Sequence, residues 1–316
     1  MPPLQELYRV KASNLAMAVG TLVGLAALFS QVGSPGHLWN TITAAQVSWL
    51  AVAFGATLLT YVAAAIGLMG AAPINLPLVR TSELQLSMMF SNLAVPGVGG
   101  TATQVRFLQR QGMDLSAAVA SGGLLANIGG VVAQLFLLLV AVQLAPKHYH
   151  VAQIHLGKFV NVALIALVVI VAIVGVMLGV PRIRRSVMPP TRNALSTVWG
   201  MLRSPRRVAL LLVGNWLWAL FTAAAFAACV AAFGGSVNFW GLLASVIVIG
   251  TIASLIPIPG GATAVTSVGM SGALAAGGVP IEAAVAAALV NQLVVIYLPA
   301  VLGWFATRDL LQAEYL

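Results

Sequence analysis

The chain holds 316 residues, 60% of them hydrophobic and only 7% charged, whereas a soluble domain carries about 25% charged residues. This excludes a soluble globular domain and identifies an all-α polytopic membrane protein, since no series of alternating ten-residue strands supports a barrel. The net charge of +9 reflects a positive-inside bias and attraction to anionic head groups rather than nucleic-acid binding.

Arg9 and Lys11 precede the first apolar run, 13–33. It is longer than a secretory core and no A-x-A site closes it, so it reads as a retained span. A second span covers 46–69. Two helical pieces follow at 82–95 and 101–112, parted by "PGVGG" at 96–100. Each is too short to cross about 30 Å of hydrocarbon. Spans at 114–143 and 157–180 lead to an arginine-rich connector, 181–205, and the stretch 192–207 suits an interfacial helix on anionic lipid. The second half contains a span at 206–233, pieces at 237–256 and 262–277 parted by "PIPGG" at 257–261, and a last span at 279–307. Cys229 is the only cysteine, so no internal disulfide forms. The histidines of "KHYHVAQIH" (147–155) are a weak metal signal, and neither metal nor cofactor is expected.

Charge placement orders these elements. Arg182, Arg184, Arg185, Arg192, Arg203, Arg206 and Arg207 put 181–207 in the cytoplasm. Counting backwards returns Arg106, Arg110, Arg80, Arg9 and Lys11 to the same side, provided that 82–112 enters and leaves there as a re-entrant hairpin. Counting forwards, 237–277 is a hairpin from outside, and Arg308 returns to the cytoplasm with the C-terminus. The prediction is an inverted-topology repeat, 1–156 and 157–316, with three transmembrane helices and one Pro/Gly-broken hairpin per half. Counting each hairpin as a crossing gives eight spans instead. "PGVGGTATQV" is answered by "PIPGGATAVT", and "GMDLSAAVAS" by "GVPIEAAVAA", as paired broken segments of a repeat require.

Two hairpins entering from opposite faces bring their tips together near the bilayer midplane. Glycine there permits close approach, and helices beginning at Thr101 and Ala262 aim their N–H groups at the centre, which suits an anionic head group. The candidate substrate path comprises Asn92, Pro96, Gly97, Gly99, Gly100, Thr101, Thr103 and Gln104 from the first hairpin. Pro257, Pro259, Gly260, Gly261, Thr263 and Thr266 come from the second, and Asn291 from the last span. Arg106 and Arg110, one turn apart, with Glu83, are candidates for gathering head groups. Asn127, Gln134 and Asn215 also lie within spans, where interhelical hydrogen bonding is the simpler role. Asp114 and Glu282 each begin a helix as caps. No nucleophile–base constellation is present, so no catalytic residue is assigned and the chain is expected not to be an enzyme.

"NLAVPGVGG…QVRFLQRQG" and "LIPIPGGATAV…GALAAGGVPIEAAVAAALVNQLVVIYLPAVLG" resemble the flippase-like transmembrane region of the lysylphosphatidylglycerol synthase family, without its aminoacyltransferase domain. The resemblance implies translocation of a phospholipid, aminoacylated or otherwise modified, or of a lipid-linked substrate, between leaflets of the cell membrane. Thr266 stands where family members often carry an acid, and Gly100-Thr101 where a Gly-Glu pair is common. Fewer acids therefore remain to receive a cationic aminoacyl group. The partners expected are anionic or modified membrane phospholipids and a lipid-modifying enzyme, and a homo-oligomer is compatible. The alternative function is a non-catalytic membrane partner of such an enzyme or of a glycosyltransferase.

Overall fold

The structure is a computed structural model that describes residues 45–94, 99–145, 203–254 and 261–316. Expected spans 13–33 and 157–180, most of the connector 181–205, and Pro96, Gly97, Pro257, Pro259 and Gly260 lie outside them. The described residues form helices and no strand. In chain order these are α1 (Val47–Ala71), α2 (Leu78–Ala94), α3 (Gly99–Arg110), α4 (Leu115–Leu144), α5 (Pro205–Ala232), α6 (Phe239–Ser254), α7 (Gly261–Ala276) and α8 (Ile281–Gln312). Four of them, α1, α4, α5 and α8, are long and apolar enough to cross a membrane. These are the four expected spans that fall on described residues. Their bounds differ mainly in α8, which runs on past 307 to carry Arg308 and Asp309. α2 also starts earlier than expected, so that Arg80 sits in its first turn.

α1 and α5 form the antiparallel centre of the bundle. A Cβ on Gly214 would lie 2.2 Å from the Gly67 backbone nitrogen, and one on Gly70 would lie 2.3 Å from the Leu211 nitrogen. Small residues at a helix crossing let backbones approach this closely, which maximises packing where lipid offers no hydrophobic drive. The Gln46 N–H donates to Ala232 O at one end of the pair, and Arg207 Nη1 donates to Ala72 O at the other.

Short helices α2 and α3 fold back on one another, as do α6 and α7. In the first pair, Leu84 packs with Phe107 and Leu108 beside Ala72, Met113 and Leu310. Its open end therefore lies with the C-terminus of α1, the start of α4 and the end of α8. In the second pair, Leu242 packs with Met270 and Leu274 beside Val279 and Phe233, so its open end lies at the far end of the molecule. α8 crosses α2 closely, since a Cβ on Gly303 would meet Leu86 O at 2.2 Å, and the Ser87 and Thr307 hydroxyls are hydrogen-bonded at 2.8 Å.

Both long C-terminal helices of the two halves contain a π-helical segment, Val119–Leu125 in α4 and Leu293–Tyr297 in α8. The second lies just before Pro299. Pro299 has no N–H for the carbonyl four residues earlier, Val295 O, and the Tyr61 hydroxyl donates to that oxygen instead at 3.2 Å. A backbone acceptor freed at depth is thus satisfied by a neighbouring helix. The outer face of α4 exposes Ile128, Val132, Phe136 and Leu139, and that of α8 exposes Val301, Trp304 and Phe305, the surface expected of helices that face lipid.

Candidate functional site

A cavity of about 670 Å³ opens between the two folded-back pairs, among α1, α2, α3, α4, α5 and α6. Thr101, in the first turns of α3, and Gly250 and Thr251, near the end of α6, line it. Its polar lining is carboxamide-rich, with Gln85 from α2, Gln104 from α3, Asn127 and Gln134 from α4, and Asn215 from α5. Trp218 supplies an aromatic wall. No charged side chain is among the described residues that line it.

Glycines on facing helices seat these amides. A Cβ on Gly122 would lie 3.0 Å from the Gln104 carboxamide. Asn215 lies between α1 and α4: its Nδ2 donates to Leu211 O at 2.8 Å, and a Cβ on Gly130 would lie 2.9 Å from its Oδ1. Gln104 is 7% exposed and makes no side-chain hydrogen bond. Ser121, in the π segment of α4 next to Gly122, carries a buried hydroxyl without a hydrogen-bond partner. Polar groups left unpaired in an interior cost about 1–3 kcal/mol each unless a ligand or water meets them.

Of the residues expected on the substrate path, Thr101 and Gln104 line this cavity. Asn92, Gly99, Gly100 and Thr103 build the neck of the first helical pair. Asn92 Oδ1 accepts from the Gly100 N–H at 2.8 Å, and the Thr103 hydroxyl lies 2.9 Å from both Ser91 Oγ and Gly99 O. A Cβ on Gly99 would sit 2.0 Å from Ser91 O. The glycines therefore admit a neighbouring helix, and the Gly100 N–H, which helix polarity would offer to an anion, is taken by Asn92. Asn291 belongs to a separate buried group, where the Cys229 thiol points at its Oδ1 at 3.9 Å and Gln292 Nε2 donates to Ser267 Oγ at 2.8 Å. Thr266 is half-buried on α7; nothing is described of the Thr263 side chain, and Gly261 opens α7.

Arg106 and Arg110 are exposed on a face of α3 other than the one that lines the cavity. Glu83 is held elsewhere: Arg80 Nη1 lies 2.8 Å from its Oε2, also pairs with Asp309 of α8, and stacks 5.5 Å over the Tyr315 ring. Tyr315 in turn stacks on Phe107 at 5.8 Å. This cluster ties the first helical pair to the last helix. Nothing in the one-dimensional pattern singles out Gln85, Trp218 or Thr251. Amides recurring on successive apolar helices were the available signal, but which of them share a cavity depends on how the helices cross.

A family model described as "Lysylphosphatidylglycerol synthase TM region" matches residues 15–303. No curated protein of similar sequence matches the chain. The chain belongs to the lysylphosphatidylglycerol synthase transmembrane family and is a membrane protein tied to lipid modification.

Proposed function

With that membership as premise, we propose that the protein translocates a lipid head group between leaflets through the cavity between the two short-helix pairs. The carrying observation is a cavity of about 670 Å³, lined by five carboxamide residues, inside a bundle whose outer faces are apolar. That volume is within the range of about 300–1,000 Å³ typical of ligand sites. A head group crossing hydrocarbon needs such a lined passage, because irregular backbone and polar side chains at depth are tolerated only where protein or water meets them.

The inverted-repeat reading underlies the mechanism. Its support is the matching succession of helices, long–short–short–long in each half, with a π segment in both final helices. The open ends of the two short-helix pairs lying at opposite ends of the molecule support it further. In this reading the pairs are re-entrant hairpins, and rocking of one half against the other exposes the cavity to each side alternately. The cavity lies between the two pairs, with Gln85, Met88, Thr101 and Gln104 from the first and Val246, Ile247, Gly250 and Thr251 from the second. The end bearing Arg80, Arg106, Arg110 and Arg308 faces the cytoplasm in the cell membrane, where Arg106 and Arg110 gather head groups. The chain is a carrier, not a catalyst.

Reconstitution of the purified protein into vesicles with fluorescent phospholipids and glycolipids tests this. Dithionite should bleach the inner-leaflet probe of at least one lipid class faster than in protein-free vesicles. Equal rates for every class would refute the reading.

A further inference from the structure

We propose that the cavity selects a hydroxyl-rich head group without positive charge, either a sugar or a glycerol-type polyol, rather than a cationic aminoacyl group. This deepens the translocation reading and rests on it. The observation is chemical. Gln85, Gln104, Asn127, Gln134 and Asn215 present carboxamides to one space, and no ionisable side chain among the described residues joins them.

A carboxamide offers donors and an acceptor together, the pairing that neighbouring hydroxyls require, since each hydroxyl both gives and accepts. Phosphatidylglycerol and its lysyl ester share the cost of the phosphate, but the ammonium groups of the lysyl ester would in addition lose water and find no carboxylate, a cost of several kcal/mol per ion. Gln104 and Gln134 make no side-chain hydrogen bond, and Gln104 is more than nine-tenths buried, so its amide is available to a ligand. Asn215 spends its Nδ2 on Leu211 O and keeps Oδ1 as an acceptor. Trp218 also lines the cavity, and an indole face is the kind of apolar surface on which the C–H face of a sugar ring stacks.

The experiment uses the full chain in vesicles with three probes labelled on an acyl chain: glucosyl diacylglycerol, phosphatidylglycerol and lysyl-phosphatidylglycerol. The two hydroxyl-rich lipids should cross at least tenfold faster than lysyl-phosphatidylglycerol. A faster glucosyl lipid identifies a sugar as the ligand, and an equal or faster phosphatidylglycerol identifies the polyol. Gln104→Leu and Gln134→Leu should each slow the preferred lipid about tenfold while thermal unfolding in detergent stays cooperative. Gln134 is only half-buried, so its variant reports binding even where Gln104→Leu misfolds. Lysyl-phosphatidylglycerol crossing as fast as the other two would overturn the selectivity and leave translocation standing. No lipid crossing faster than in empty vesicles would overturn both.

Discussion

At the scale of single residues, glycine and carboxamide work as pairs. Gly67 and Gly214 bring α1 and α5 into backbone contact, and Gly122 and Gly130 leave room for Gln104 and Asn215. Gly214→Ala forces a Cβ to 2.2 Å from a backbone nitrogen, which flexible side chains cannot relieve. It should destabilise the bundle by about 1–3 kcal/mol, read as a lowered Tm in detergent. Gly55→Ala, mid-helix with nothing within 4 Å, should not lower Tm and should raise it slightly, since alanine favours the helix. Asp114 is a second case. Its carboxylate caps α4 by accepting from the Ala117 N–H, and the Ser116 hydroxyl bonded to it holds its pKa below the ordinary carboxylate value. A depressed folded-state pKa gives stability that is present above the unfolded pKa and is lost as pH falls through the folded one. Asp114→Ala should therefore lower Tm at neutral pH by the worth of one cap, about 0.5–1 kcal/mol. The gap from the unsubstituted protein should close in acid.

At the scale of elements, broken helices carry the design. The sequence pattern placed all four short pieces within a few residues, because proline and glycine interrupt apolar runs too short to cross. It could not show that Gly99 and Gly100 serve the α2–α3 contact, since that depends on the partner backbone at Ser91 and Asn92. The π segment of α8 was equally illegible, although Pro299, two residues beyond it, is plain in the chain. Tyr61→Phe would leave Val295 O without its donor and should cost about 1–2 kcal/mol. Pro299→Ala restores an N–H to that carbonyl, so Tyr61→Phe should cost less in the Pro299→Ala background. A double-mutant cycle on unfolding reads that coupling, and strict additivity would show that the hydroxyl does not substitute for the missing donor.

At the scale of the whole molecule, charge is polarised among the described residues. The clusters around Leu310, Met113 and Ala72 collect Arg80, Glu83, Asp114, Arg207 and Asp309 at one end, while Glu282 begins α8 at the other. The arginine count along the chain had predicted this segregation. In a Cys229→Ala background, Arg110→Cys and Arg308→Cys should react with an impermeant maleimide from the same side of the membrane, and Glu282→Cys from the opposite side. Labelling of Glu282→Cys from the side that labels Arg308→Cys would end the sidedness argument.

The sequence by itself determined that the chain is helical and membrane-embedded, where its helices break, and which family it belongs to. These follow from hydropathy, from the backbone limits of proline and glycine, and from motif order, all local along the chain. Only the tertiary structure decided which polar residues share a cavity. It separated Gln104, which faces that cavity, from Asn92 and Thr103, which fasten α2 to α3, and from Asn291, which lies with Cys229. The reason is physical: in an apolar chain every buried amide satisfies the same sequence pattern, and the angle at which two helices cross decides whether it meets a backbone, another side chain or open space.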